Sequence, residues 1–109
     1  MTNLELMRRI SDLVQSGTPS ALATIIRTKR STPRKVGTKM IVYPDGTVEG
    51  TVGGGCGEGE VIEAALEVIK TGQAKKHKVD LTKGLFYEDG GICGGIQDIF
   101  IEPISSSGE

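Results

Sequence analysis

The sequence lacks tryptophan and contains only two Phe and two Tyr among its 109 residues. Aliphatic side chains must therefore fill the core, and the aromatic platforms on which single-stranded nucleic acids stack are missing. A basic excess is missing too, because 13 Lys and Arg residues stand against 14 Asp and Glu residues, for a formal net charge of −1. Since general nucleic-acid binding needs a clear positive excess, the composition argues against that function.

Long hydrophobic runs are also absent. No apolar stretch approaches the roughly 20 residues that span a bilayer, and residues 1–16 carry charges throughout, unlike a signal peptide. We therefore expect no membrane association and a cytoplasmic location. In that reducing compartment the two cysteines, Cys56 and Cys93, are expected to be free thiols rather than a disulfide.

The apolar pattern predicts an α/β chain of the α+β type. A first helix begins at the capping-box pair Thr2 and Glu5 and ends before Gly17. The elements predicted after it are a buried strand at 21–28, a hairpin of strands 39–43 and 47–52, a second helix after Gly57, an edge strand at 76–81 and a last strand at 98–102. We expect one compact domain over residues 1–104, with a mixed sheet, a central hairpin and two main helices packed on it. Residues 105–109 are expected to form a disordered tail.

Glycine is abundant, and nine of the 16 glycines lie within residues 53–59 and 90–95. The run from Gly53 to Gly57 directly precedes the second predicted helix. Successive glycines let backbone N–H groups face a ligand, and a helix N-terminus adds positive potential, which suits phosphate. A tight strand-to-helix connection without a ligand explains the run equally well, and Glu58 and Glu60 in the first helical turn would repel phosphate. Neither the dinucleotide fingerprint nor the Walker sequence fits these residues.

Both cysteines are embedded in glycine-rich sequence. Cys56 precedes a helix N-terminus, where a thiolate is stabilised and nucleophilic or metal-binding chemistry is favoured. The alternative is an inert buried thiol, but two cysteines in the same kind of setting favour function. The Cys and His spacings typical of zinc sites are missing, so we predict no metal site.

A third feature is a basic segment. Between residues 27 and 39 there are six cations and no acid: Arg27, Lys29, Arg30, Arg34, Lys35 and Lys39. Arg34 follows Pro33 and is suited to hold a phosphate or carboxylate through two parallel hydrogen bonds. For Lys29 and Lys35 a solvated surface position is the simpler interpretation.

Four blocks carry a resemblance to a known family. S-T-P-R-K-V-G-T-K-M-I-V at 31–42, D-G-T-V-E-G-T-V-G-G-G-C at 45–56, E-G-E-V-I-E-A-A at 58–65 and G-G-I-C-G-G-I-Q-D-I-F-I-E-P at 90–103 resemble the N-terminal domain of the XdhC/CoxI family, over about residues 4–104. The family's S-x-P-R, G-G-G-C and C-G-G blocks fall on residues 31–34, 53–56 and 93–95. Together with the interpretation of the glycine-rich and basic loops given above, the resemblance implies a set of cofactor-binding residues: Ser31, Arg34, Gly53, Gly54, Gly55, Cys56, Gly57, Cys93, Gly94 and Gly95.

Members of this family act as accessory proteins for molybdenum hydroxylases such as xanthine dehydrogenase. They are thought to bind molybdenum cofactor (molybdopterin) and to support its sulfuration by a cysteine desulfurase before insertion into the apo-enzyme. The resemblance therefore implies a cofactor-binding chaperone rather than an enzyme, with the apo-hydroxylase and the desulfurase as partners. Two alternatives remain: a sulfur-transfer enzyme component that uses Cys56 as its catalytic thiol or molybdenum contact, and a non-catalytic interaction module.

The sequence departs from the family pattern in two places. The family usually has Gly before its S-x-P-R block, whereas this chain has Arg30, so either the turn is not left-handed or the loop fits its partner differently. Full-length members generally continue into a Rossmann-like C-terminal domain, which this sequence does not include, so we expect either a naturally split version or a piece of a longer protein. We therefore expect a homo-oligomer or association with a separate protein that supplies the second half.

Overall fold

The computed structural model describes residues 2–30, 32, 34–53, 57–84 and 94–104. In chain order its elements are α1 (Asn3–Ser16), β1 (Ser20–Lys29), β2 (Lys39–Val42), β3 (Val48–Gly50), α2 (Glu58–Thr71), β4 (Lys75–Asp80), a 3-10 helix (Leu81–Gly84) and β5 (Ile96–Ile104). The order of the α-helices and strands is the predicted one, whereas the 3-10 helix was not predicted; β1 and β5 are longer than expected and β3 is shorter. The predicted tail at 105–109 lies outside the described residues. So do five of the predicted cofactor-binding residues, namely Ser31, Gly54, Gly55, Cys56 and Cys93.

The two helices begin differently. The predicted capping box of α1 is confirmed, because the Glu5 N–H donates to Thr2 Oγ1 at 3.1 Å and the Thr2 N–H donates to Glu5 Oε1 at 2.8 Å. Helix α2 has no side-chain cap; its N-cap is Gly57, with φ 72°. A Cβ atom on Gly57 would lie 2.5 Å from Cγ1 of Val79, so only glycine fits there. Neither of these described helices is long and apolar enough to cross a bilayer.

The α+β class is confirmed, but the strand directions differ from the prediction. The sheet has the spatial order β3-β2-β1-β5-β4, and all four neighbouring pairs are antiparallel rather than mixed. Two parallel neighbouring strands need a crossover connection. Helix α2 joins β3 to β4, but these two strands lie at opposite edges of the sheet and are not neighbours. The hairpin lies at one edge instead of the centre, because the long apolar strand β1 pairs on both sides. Strand β4 is an edge strand, as predicted.

The two faces of the sheet are covered unequally. Helix α2 covers one face, where alternate residues of the strands form the main core: Ala21, Ala23, Ile25, Met40, Val42, Val79, Ile99 and Ile101. Helix α1 packs Leu6 and Leu13 against Ile41 and Ile104 at one end of the other face. Beyond α1 that second face, which we call the open face, carries cationic side chains that share it by cross-strand register: Arg27, Lys29, Lys39, Lys76 and Lys78.

The turn after β1 keeps the left-handed conformation. Arg30 has φ 66° and is the non-glycine residue with positive φ within the described ranges. A Cβ atom is strained in this region of backbone space. Of the two expectations raised by Arg30, loss of the left-handed turn is therefore wrong.

Candidate functional site

A carboxylate of the same chain holds residues 51–53, which lead into the first glycine-rich run and which we call the glycine-rich stem. Glu58, the first residue of α2, accepts a hydrogen bond from the Gly53 N–H at 3.2 Å and another from the Thr51 hydroxyl. Gly53 is buried. The backbone amide that the sequence predicts to face a ligand anion thus donates to a side chain of the same chain.

The described ends of both glycine-rich segments meet at one end of the sheet. The Gln97 side chain, which is 1% exposed, donates from Nε2 to the Val52 carbonyl oxygen at 3.0 Å. The Leu81 N–H donates to the Gly95 carbonyl at 2.9 Å, and Leu81 also lies against Gly57. The structure therefore brings Gly53, Gly57 and Gly95 into one region. Gln97 was missed by sequence reasoning, although a glutamine inside an apolar strand beside a C-G-G block is a usable signal.

Arg34 borders a cavity that reaches this same stem. The cavity, which we call the Arg34 cavity, has a volume of about 610 Å³ and is lined by Asn3, Leu6, Arg34, Val36, Gly37, Thr38, Lys39, Gly50 and Thr51. Two of these lining residues are cations, and none is a carboxylate. Thr51 also hydrogen-bonds Glu58, so the basic segment and the glycine-rich stem lie on either side of one residue.

Backbone contacts hold the walls of the Arg34 cavity. The Ile25 N–H donates to the Thr38 carbonyl at 2.9 Å, and the Gly37 N–H donates to the Ile25 carbonyl at 2.8 Å, which ties the basic loop to β1. Gly50, which also lines the cavity, has φ 83°, and a Cβ atom there would lie 2.8 Å from the Lys39 carbonyl oxygen. These backbone contacts help to fix the walls of the cavity, and side-chain patterns alone do not reveal them.

A second cavity, of about 700 Å³, lies between α1 and the β2–β3 hairpin. Its ionisable lining includes three carboxylates and a single cation, and Arg9 Nε lies 3.4 Å from Glu49 Oε1. Burial, and secondarily the Glu49 carboxylate, raises the pKa of Tyr43 above its ordinary value. This cavity contains no residue predicted to bind ligand, and its charge does not suit an anion.

The described residues contain no group of three or more His, Cys, Asp and Glu side chains placed to hold a metal ion. The Nε2 atom of His77 on β4 lies 2.8 Å from the Oε1 atom of Glu60 on α2. This contact joins the edge strand to the first turn of α2.

Comparison with known proteins adds three findings. The model of the XdhC and CoxI family matches residues 13–80. A curated relative, the uncharacterized protein YqeB of Escherichia coli strain K12, is 30% identical over 98 residues, which cover 90% of this chain and 18% of the relative. The crystal structure of a xanthine dehydrogenase from Bacillus halodurans is similar with a TM-score of 0.79 and 29% identity, over 96% of this chain and 31% of that one. The chain thus spans less than a third of either protein.

Proposed function

The chain belongs to the XdhC and CoxI family, and from this premise we propose that it binds molybdenum cofactor and assists its sulfuration and insertion into a molybdenum hydroxylase of the xanthine dehydrogenase type. The likeness to a structure described as a xanthine dehydrogenase supports that context. The apo-hydroxylase, a cysteine desulfurase and a second copy of the chain are the proposed partners.

The Arg34 cavity is the observation that carries this proposal. Its volume of about 610 Å³ lies within the range of roughly 300–1,000 Å³ typical of small-molecule sites. Molybdopterin is an anionic, phosphate-bearing group, and a lining with two cations and no carboxylate suits it. Arg34 and Lys39 would hold the phosphate, while the Thr38 hydroxyl offers a hydrogen bond to the ring system. The cofactor supplies the molybdenum centre of the client enzyme, and the residues of this chain bind and shield it.

Glu58 decides which end of the site takes the phosphate. Its carboxylate already accepts from the Gly53 N–H and the Thr51 hydroxyl, and it would repel a second anion at that position. We therefore assign the phosphate to Arg34 and Lys39, and a positioning role to Gly53. Gly54, Gly55, Gly57, Gly94 and Gly95 remain proposed cofactor-binding residues.

The two cysteines keep the roles that the sequence predicts. Cys56 follows the glycine-rich stem in the chain and is proposed to contact the cofactor or to carry sulfur. Cys93 precedes Gly94 and Gly95, which belong to the second glycine-rich segment beside the same stem.

The test is a titration of the protein with molybdopterin. We expect Arg34→Ala to weaken binding by about 10- to 100-fold, since a charge-assisted hydrogen-bonded pair is lost. Lys35→Ala is the matched control; Lys35 is exposed and does not line the cavity, so affinity should change by less than about twofold. Equal affinities for both variants, or no binding by the unaltered protein, would contradict the proposal.

A Cys56→Ser variant separates the two roles of the thiol. If molybdopterin binding persists while sulfuration of the client enzyme fails, Cys56 carries sulfur. If binding itself is lost, Cys56 is a ligand of the cofactor and the chain acts as a binding chaperone.

A further inference from the structure

A buried carboxylate lies on the open face, away from the Arg34 cavity. Asp98 on β5 is 9% exposed, and its Oδ1 atom has no hydrogen-bond partner. Burying a charged oxygen without a partner costs several kcal/mol, so buried polar atoms in folded proteins are nearly always paired. An exception of this kind requires an explanation, and a bound ion is one such explanation.

Two cations flank this carboxylate across the sheet. Arg27 on β1 and Lys78 on β4 are the direct cross-strand neighbours of Asp98, one on each side. Both side chains are exposed, and neither forms an ion pair with Asp98 in the part of the chain that the structure describes. Lys29, opposite Ile96 in the same register, adds a third cation. The carboxylate is thus surrounded by positive groups that do not neutralise it by contact.

A β-bulge in β1 creates this arrangement. The register pairs Ile25 with Ile99 and then Arg27 with Asp98, so Ile26 is the extra residue. In a regular ladder Ile26 would lie opposite Asp98, and Arg27 would point to the α2 side of the sheet. Bulges commonly serve to redirect a side chain next to a functional site. Here the bulge places a cation, rather than an isoleucine, beside the buried carboxylate.

The cavity at Asp98 is the size of an ion. It measures about 120 Å³ and is lined by Arg27, Thr28, Lys29, Lys78, Ile96 and Asp98. At about 30 Å³ per molecule in the liquid, this volume corresponds to roughly four waters. It is well below the roughly 300 Å³ of the smallest typical drug-sized sites. A tetrahedral oxyanion fits this volume, whereas a nucleotide or a pterin does not.

We propose that Arg27, Lys29, Lys78 and Asp98 form a binding site for a small oxyanion that retains a proton, of which hydrogen phosphate is the representative. The three cations donate charge-assisted hydrogen bonds to its ionised oxygens. An ionised Asp98 only accepts hydrogen bonds, so it requires an O–H on the ligand and repels an anion that has none. Inorganic phosphate carries at least one proton at neutral pH, whereas sulfate carries none. The site does not depend on molybdopterin binding at Arg34.

The experiment compares phosphate with sulfate at pH 7 and constant ionic strength, following backbone amide NMR signals of the ¹⁵N-labelled chain. We expect phosphate to shift the Lys78, Ile96 and Asp98 signals saturably, with sulfate about tenfold weaker. Arg27→Gln should weaken phosphate binding about tenfold. Lys76→Gln, on the same face and strand as Lys78 but outside the cavity lining, is the matched control and should change it by less than about twofold.

Asp98→Asn tests the selectivity. An amide can donate as well as accept, so this variant should bind sulfate about as well as phosphate. Thermal unfolding of each variant checks that it folds; if Asp98→Asn does not, Arg27→Gln and Lys78→Gln carry the test.

Four results would overturn the proposal. Three are equal affinities of the unaltered protein for phosphate and sulfate, shifts that never saturate, and unchanged selectivity in folded Asp98→Asn. The fourth is a set of phosphate shifts confined to Thr38 and Thr51, which would leave the Arg34 cavity as an anion site.

Discussion

The two faces of the sheet differ in burial and charge, and neighbouring residues of strand β1 show the difference in burial. Ile25 is fully buried beneath α2, whereas Ile26, the next residue, is 45% exposed on the bulge. The α2 face is a continuous apolar core. The open face carries five cations, three of which line the cavity at the buried carboxylate of Asp98. Stability therefore resides mainly beneath α2, and the candidate anion chemistry lies on the side that α1 covers only in part.

Lys39 connects the open face to the Arg34 cavity, because it belongs to both. Leu6 of α1 lines the same cavity and packs against the sheet. The partial cover by α1 thus leaves room for both proposed sites. A helix that covered the whole face, as α2 covers its own, would bury these cations at high cost.

The largest expected effect separates the two faces directly. Ile25→Ala removes a fully buried side chain and should lower the free energy of unfolding by about 4 kcal/mol. Ile26→Ala removes the same atoms from a half-exposed position and should lower it by less than about 1 kcal/mol. Urea denaturation of the two variants measures both values. Similar losses would show that Ile26 is packed as firmly as Ile25 and would contradict the proposed difference between the two faces.

A second pair of variants tests how α2 meets the sheet. Gly57→Ala forces a Cβ atom against Val79 at a position with φ 72° and should destabilise the protein by about 3 kcal/mol. Gly59→Ala, in the first turn of α2, meets open space and should stabilise the protein by about 0.5 kcal/mol. Thermal and urea unfolding report both effects. A tolerated Gly57→Ala would mean that α2 can move away from β4, contrary to a tightly closed face.

The smallest expected effect concerns the turn that leaves the open face. Arg30 has φ 66°, a conformation that a Cβ atom disfavours by about 1 kcal/mol. Arg30→Gly relieves this strain but makes the unfolded chain more flexible, so the net gain should be about 0.5 kcal/mol. Arg30→Ala keeps the Cβ atom and is the control, with no gain expected. If both variants were equally stable, the left-handed turn would not strain Arg30.

Much of the fold could be predicted because its signals are local. The capping box at Thr2 and Glu5, Gly17 after the first helix and the hairpin of β2 and β3 depend on contacts within a few residues, and the structure confirms them. The candidate site was predicted less completely. Arg34 and Gly53 do lie in one region of the fold. The Gly53 N–H, however, donates to Glu58, and the Gln97 side chain links the two glycine-rich segments. These contacts depend on long-range pairing that a motif does not encode.

By itself the sequence determined which residues become helix or strand, which side chains are apolar enough for the core, and which family the blocks resemble. These properties follow from hydrogen bonds, periodicities and backbone preferences within short segments. Only the tertiary structure decided that the sheet is antiparallel and that Arg27 lies beside Asp98. Strand direction depends on how the connections cross the sheet, and a single extra residue in β1 moves every later side chain to the opposite face.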